Sequence, residues 1–418
     1  MKEIKKLNIS ESLRLFEVGK KLIPGGVLGI RRPYNFVEGE YPIYVESGKG
    51  GRIIDVDGNE YIDFLCAYGP IILGYREEEI DEAVIKQIRD KGFCFSITQR
   101  YQNQLAEKLK ELIPCSEMTI FVKTGSDATT VAIRLARAYT KRTKIMRCGY
   151  HGWHDWCVEV KGGIPEKLYE DVYEFHYNDL SSLEDLMSRH GNETAAIILT
   201  PFGHPLAQKM EEPIHGFLEG VKAVSERYGA VLIFDEVRTG FRLSLGGAQE
   251  YYGVTPDLAC FGKAMANGYP ISAVTGRADI MKTGEKEVFV SSTFFPNSPP
   301  YIASLKTIEI LERENVLEKI WKKGGRFFKR LEKVIENSNA GAELSGIAPM
   351  FFITFKKDSQ NIYKEKRKSF YTQLIRRDVF MQPYHHGYIA YRHTDDDLDK
   401  TVIAVEEAIS YIQDKFTQ

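Results

Sequence analysis

The chain is marked by a series of apolar runs that each stop at a polar or special residue. These runs are TIFV before Lys123, KIMRC before Gly149 and Tyr150, AAIIL before Thr200, AVLIF before Asp235, and LACF before Gly262 and Lys263. Helical patterns lie between several of them, over residues 180–190 and 213–228 and in a long helix after Gly125. A strand that is apolar throughout, rather than alternately, is covered on both faces. Such strands separated by helices predict an α/β fold with a mostly parallel sheet. In such a sheet, polar residues at the C-terminal ends of strands are the default site positions. Gly125 to Asp127, Tyr150, His204, Asp235 and Lys263 all fall at or near such ends.

Two of these positions define a chemistry. Lys263 sits in FGKAMANGYPISA, among small residues, and a lysine attacks an aldehyde only as the neutral amine, which desolvation favours. Asp235 ends a buried run, where a carboxylate can keep a pyridine nitrogen protonated and make the ring an electron sink. Together they point to a Schiff-base enzyme using pyridoxal 5'-phosphate (PLP). Gly125, Ser126 and Asp127 open a helix after a strand. Exposed backbone N–H groups there make an anion site, although an ordinary Ser/Asp cap reads the same way. The P-loop pattern GxxxxGK[ST] and the dinucleotide pattern GxGxxG are both absent. Tyr150 could stack on a planar ring. His151 and His154 have HxxH spacing but no further ligand at a zinc spacing, so no metal is expected.

The rest of the chain bounds the setting. It has 418 residues, 43% of them hydrophobic, enough for a large core. The net charge of -2 favours neither nucleic acid nor an acidic membrane. Six cysteines without CxxC spacing read as reduced thiols of a cytoplasmic protein. MKEIKKLNIS lacks the apolar core of a secretory signal, and no apolar run could span a bilayer. An amphipathic helix is expected over residues 8–23, with Asn8 and Glu11 as a capping box. Arg31 and Arg32 follow in a loop, either as solvated charge or as a clamp for a carboxylate. Asp57-Gly58 marks a hairpin. Three parts are expected: a small N-terminal lobe over residues 1–69, a main domain over 70–305 and a C-terminal lobe over 306–418. Basic helices at 317–337 and near residue 366 read as solvated faces.

These residues together are recognisable. DVDGNEYIDF, FVKTGSDA, YHGWHD, LIFDEVRTGFR and FGKAMANGYPISA make the chain resemble the class III aminotransferases of PLP fold type I. Within them it is most similar to the glutamate-1-semialdehyde aminomutase-like branch, from IPGGV near residue 23 to the last helix. The resemblance implies a large domain with a helix-covered, mostly parallel sheet and a smaller α+β domain built from both termini. It implies that Lys263 forms the imine with PLP and shuttles the proton, and that Asp235 pairs with the ring nitrogen. Val237 and Tyr150 then hold the two ring faces, and Gly125 and Ser126 bind phosphate. Thr293 reaches the phosphate of the neighbouring subunit, which implies a homodimer with shared active sites. Arg32 takes a substrate carboxylate.

Departures from the family pattern fall elsewhere. Thr200-Pro201 stands where Glu-Pro is usual, and Asp127 replaces a glutamate. His204 stands where an asparagine approaches the cofactor's phenolic oxygen, and His385, beside His386, stands where the aminomutase has a glutamate. The PLP core is kept while substrate-facing positions differ. An aminotransferase acting between an amino-acid donor and a carbonyl acceptor is therefore expected. Glutamate-1-semialdehyde 2,1-aminomutase is the alternative, followed by a racemase or epimerase. A non-catalytic PLP-fold protein is disfavoured, because it would not need both Lys263 and Asp235.

Overall fold

A computed structural model describes residues 4–416. The chain divides into two compact units. The large one comprises Glu78–Gly203 and Glu212–Leu317, and the small one comprises the residues up to Glu77, His204–Glu211 and Glu318 onward. The divisions lie later than the 69/70 and 305/306 boundaries read from sequence. At the second, the helix Ser298–Arg313 packs on the helices Glu78–Lys91 and Tyr101–Leu112 of the large unit. It buries Ala303, Ser304, Thr307 and Ile308.

The large unit is built on a seven-stranded sheet. Its strands in chain order are β1 (Met118–Val122), β2 (Lys144–Cys148), β3 (Val172–Glu174), β4 (Thr194–Leu199), β5 (Val231–Asp235), β6 (Leu258–Phe261) and β7 (Ser272–Gly276). They lie in the order β1-β7-β6-β5-β4-β2-β3. Neighbours from β6 to β3 pair in parallel, and β7 runs antiparallel to β6 and β1. This is the mostly parallel α/β fold expected. Every residue of β4, β5 and β6 is buried, which is why these strands read as continuous apolar runs. The long helix α1 (Gly125–Thr140) covers one face. Its small residues Ala128, Ala132 and Ala136 let it sit close over Ile198, Ile233 and Cys260.

Helix α1 begins where the sequence placed an anion site. Thr124 is its N-cap, and a reciprocal capping box joins Thr124 to Asp127. Asp127 is thus a structural cap of this helix.

The small unit joins both ends of the chain in one sheet. Strands Val45–Lys49, Arg52–Asp55 and Glu60–Asp63 form an antiparallel meander, and Val379–Phe380 adds in parallel to Glu60–Asp63. A second small sheet holds Ala342–Ile347, Met350–Phe355 and Gly387–Tyr388. The first helix spans Ser10–Leu22, but Asn8 and Glu11 do not form its capping box. The free amides of Glu11 and Ser12 instead donate to the carboxylate of Asp57, at 2.7 and 2.9 Å, from the hairpin turn. A long-range carboxylate met these donors and left the local box unnecessary. Among the described residues, no helix is long and apolar enough to cross a membrane.

Candidate active site

In the large unit, the C-terminal ends of β1, β2, β5 and β6 bring forward Gly125, Tyr150, Asp235 and Lys263. Asp235 closes β5 and is 6% exposed. One carboxylate oxygen accepts the Val237 amide at 3.1 Å, and the other meets His151 Nδ1 at 2.9 Å. His151 is 1% exposed, and its carbonyl accepts the Thr129 hydroxyl at 2.7 Å. Its ring is parallel to the Trp156 indole, 6.3 Å away. With Nδ1 on the carboxylate, His151 Nε2 is left buried with no hydrogen-bond partner. The HxxH spacing therefore does not make a ligand pair: His154 turns to the Thr130 hydroxyl at 2.8 Å. Among the described residues, no group of three or more His, Cys, Asp or Glu side chains is arranged to hold a metal ion.

Lys263 begins the short turn that follows β6 and is held in the left-handed region at φ 44°. A non-glycine residue in that region marks strain that the surrounding structure must impose. Desolvation pushes its ammonium well below the ordinary lysine value, and the charges of Arg238 and Arg242 push the same way. Asp235 opposes them. Desolvation and the two arginines thus favour the amine, the form that attacks an aldehyde.

The start of α1 forms the third part. Gly125 has Val237 against it: a Cβ there would come within 2.9 Å of the valine methyl. Ser126 is buried, and its hydroxyl accepts the Trp153 amide at 3.2 Å. Gly152, at φ 119°, lies so close to Ser126 that a Cβ would come within 2.4 Å of its hydroxyl. Tyr150 is 45% exposed, and the Arg238 guanidinium lies 5.9 Å from its ring centre. Burial raises the Tyr150 phenol, offset by Arg238, so it stays protonated at neutral pH. Thr200 is buried after β4, and its amide donates to the Cys148 carbonyl at 3.2 Å. Thr293 is exposed on the turn ahead of Ser298–Arg313.

The remaining sequence-derived candidates belong to the small unit. His204, His386 and His385 form a stacked row, with ring centres 5.5 and 4.2 Å apart. All three are buried. Tyr68 meets His385 edge-on at 5.2 Å, and Arg31 lies over Tyr68 at 5.6 Å. Arg32 instead folds onto its own loop, where Nη2 donates to the Pro24 carbonyl at 3.2 Å. Arg238 and Gly152 were not singled out in the sequence. Gly152 could have been, because YHG puts a glycine directly beside the aromatic and histidine pair.

These residues fit PLP. A desolvated lysine, a buried carboxylate braced by an imidazole, a helix N-terminus walled by Gly125, Ser126 and Gly152, and a half-open tyrosine ring are the parts its aldehyde, ring nitrogen, phosphate and ring face require. The fold and these groups define a PLP-dependent transferase of fold type I. The chain belongs to the class-III aminotransferase family, whose model matches residues 34–408. It is 61% identical to a 3-aminobutyryl-CoA aminotransferase of Cloacimonas acidaminovorans (strain Evry), over 98% of this chain and 99% of that one. It is 33% identical to a glutamate-1-semialdehyde 2,1-aminomutase of Archaeoglobus fulgidus, over 96% of this chain and 100% of that one. Among solved structures, the PLP internal aldimine form of the Sphingopyxis sp. MTA144 FumI protein superposes with a TM-score of 0.91 at 32% identity, covering 97% of each chain. An omega-transaminase from Sphaerobacter thermophilus gives 0.87 at 26% identity, over 97% of this chain and 98% of that one. The protein is a PLP-dependent aminotransferase.

Proposed function

We propose that this aminotransferase exchanges the amine of a 3-aminoacyl-CoA thioester, such as 3-aminobutyryl-CoA, with a 2-oxo acid. The observation that carries this is the 61% identity to the 3-aminobutyryl-CoA aminotransferase over nearly both whole chains, against 33% for the aminomutase. The departures at Thr200, His204 and His385 support the same reading. They replace carboxylate and amide groups of the family and aminomutase patterns with neutral or imidazole ones, as a substrate with an uncharged thioester carbonyl near its amine would need.

When bound, PLP supplies an electron sink that stabilises negative charge on the carbon losing its proton. The roles proposed for the chain's own residues follow from their placement. Lys263 would bind the cofactor aldehyde as the amine and move the proton off the substrate carbon. Asp235 holds a proton on the ring nitrogen, and His151 keeps that carboxylate in place. Val237 and Tyr150 hold the ring, and Gly125 and Ser126 hold the phosphate. His204, Arg32 and His385 are proposed to line the cofactor and substrate positions that the family resemblance gives them.

A homodimer with shared sites is part of this proposal, Thr293 being the residue offered to the partner. Phe93, Ile97 and Phe294 are 47%, 80% and 60% exposed, and the two loops that carry them are joined by a hydrogen bond from the Ser298 amide to the Phe93 carbonyl. That leaves an apolar face for a second copy. The six free cysteines suit a cytoplasmic enzyme.

The test is to supply purified enzyme with 3-aminobutyryl-CoA and 2-oxoglutarate and to follow 3-oxobutyryl-CoA and glutamate. Turnover of glutamate-1-semialdehyde with no added acceptor, and none of the thioester, would replace this reading by the aminomutase.

A further inference from the structure

The strand end that opens the phosphate cradle carries a second charged group. Lys123 follows β1 directly and stands two residues before Gly125. Its ammonium donates to the side-chain carbonyl of Asn297. It also lies 6.0 Å from the centre of the Tyr301 ring, whose hydroxyl donates to the Phe295 carbonyl at 3.0 Å. Burial lowers Lys123 to about 8, so at neutral pH it is still a charged donor. Phe295 and Asn297 are half-buried at the base of a tight turn. The Phe295 amide closes that turn on the Ser292 carbonyl at 3.2 Å. Ser292, Thr293 and Phe294 are exposed at its tip.

A hydroxyl that binds an anion must be held where the anion will be, and on an exposed tip that support comes from the base of the turn. A hydrogen bond from an ammonium is stronger than one between neutral groups, and therefore a better anchor. Lys123 thus ties the base of the Thr293 turn to the strand end that supplies Gly125 and Ser126. In a homodimer with shared sites, the two groups serve different phosphates. Gly125 and Ser126 serve their own protomer's, and Thr293 serves the one bound by the partner. We propose that Lys123 is a positioning residue that holds Thr293 for the phosphate in the neighbouring subunit's site, and so acts across the dimer rather than on its own cradle. This rests on the proposed homodimer and on Thr293 reaching across it.

In the test, purified enzyme is stripped of cofactor and titrated back with PLP, reading the visible absorbance of lysine-bound cofactor. Only sites that keep Lys263 give this signal. As homodimers, Lys123→Met and Thr293→Ala should each weaken the apparent PLP affinity about tenfold, and the double variant should be no weaker than Thr293→Ala alone. Hybrid dimers, co-expressed with two tags, give the direction. In the first, Lys123→Met is on the chain that keeps Lys263, and Lys263→Ala is on the other. Its reporting site receives Thr293 from a chain with Lys123 intact. In the second, both substitutions are on one chain opposite wild type, so the reporting site receives Thr293 from the loosened turn. The second hybrid should bind PLP about tenfold more weakly than the first. Equal affinities or the reverse order would place Lys123 on its own cradle and overturn the inference, as would additive losses in the double variant. If Thr293→Ala weakens binding and Lys123→Met does not, the inference fails alone. If Thr293→Ala loses nothing, the shared-site reading fails and takes the inference with it. Asn297→Ala breaks the same bond from the loop's side, should behave alike, and stands in if Lys123→Met does not fold.

Discussion

His151 Nδ1 lies 2.9 Å from the Asp235 carboxylate, with both side chains buried in the large unit. The imidazole occupies one oxygen of the acid while the Val237 amide occupies the other at 3.1 Å. The carboxylate is therefore fixed in orientation before any ligand arrives. Replacing His151 by Ala should lower kcat by about 10- to 100-fold, the worth of one charge-assisted hydrogen bond. The apparent affinity for the amino donor should change little. Separate kcat and KM values check this, and Asn, which can still donate to Asp235, should recover part of the loss.

Lys263 should be indispensable. Lys263→Ala removes the amine at the site, so the enzyme should lose the visible absorbance of lysine-bound cofactor and fall to background turnover. Absorbance spectra of the PLP-treated variant, together with a donor assay, measure both. A variant that kept its activity would sink the assignment.

Gly152 tests the phosphate cradle. A Cβ there would press within 2.4 Å of the Ser126 hydroxyl, at a φ of 119° that disfavours any side chain. Strain of this kind is worth about 1–3 kcal/mol. Gly152→Ala should therefore weaken PLP binding by about one to two orders of magnitude, provided the fold holds. Fluorescence titration of the apoenzyme with PLP reads the loss, and circular dichroism confirms the fold.

The small unit carries a pH-dependent pair. Asp63 is buried and accepts the Tyr75 hydroxyl at 2.5 Å and the Leu65 amide at 2.8 Å, yet burial still raises it from 3.8 to about 6. His393 accepts the Ala390 amide at Nδ1 and donates Nε2–H to the Asp63 carbonyl at 3.1 Å. Burial lowers it from 6.5 to about 4. The raised acid contributes stability below pH 4 that is lost as pH rises through 6. The lowered histidine contributes stability above pH 6.5 that is lost as pH falls toward 4. Each spans roughly two pH units, or about 3 kcal/mol, and over this window they oppose each other. His393→Gln removes one arm. Its stability should fall relative to wild type as pH rises from 4 to 7, which urea midpoints across that range will measure.

Much of the fold was legible in the sequence. The runs ending at Leu199, Asp235 and Phe261 had to be covered on both faces, and only a sheet with helices on each side does that. The same runs fixed where the chain would present Asp235 and Lys263, because a strand delivers the residue that follows its last buried position. The blocks around Tyr150, Asp235 and Lys263 were enough to indicate the family. Local patterns failed where a distant group intervened: the amides of the first helix are met by Asp57, 46 residues from Glu11.

What only the tertiary structure decided are relationships between residues far apart in the chain. His151 and Asp235 are 84 residues apart, and no spacing rule links an HxxH loop to the end of a strand. The stacking of His204 with His386, and the position of Arg238 over Tyr150, depend in the same way on how separate segments close on one another. Sequence patterning determines which residues are buried and where strands end, because burial and hydrogen bonding repeat along the backbone. Which side chain faces which is set by packing between elements, and that is where the chemistry of this site is fixed.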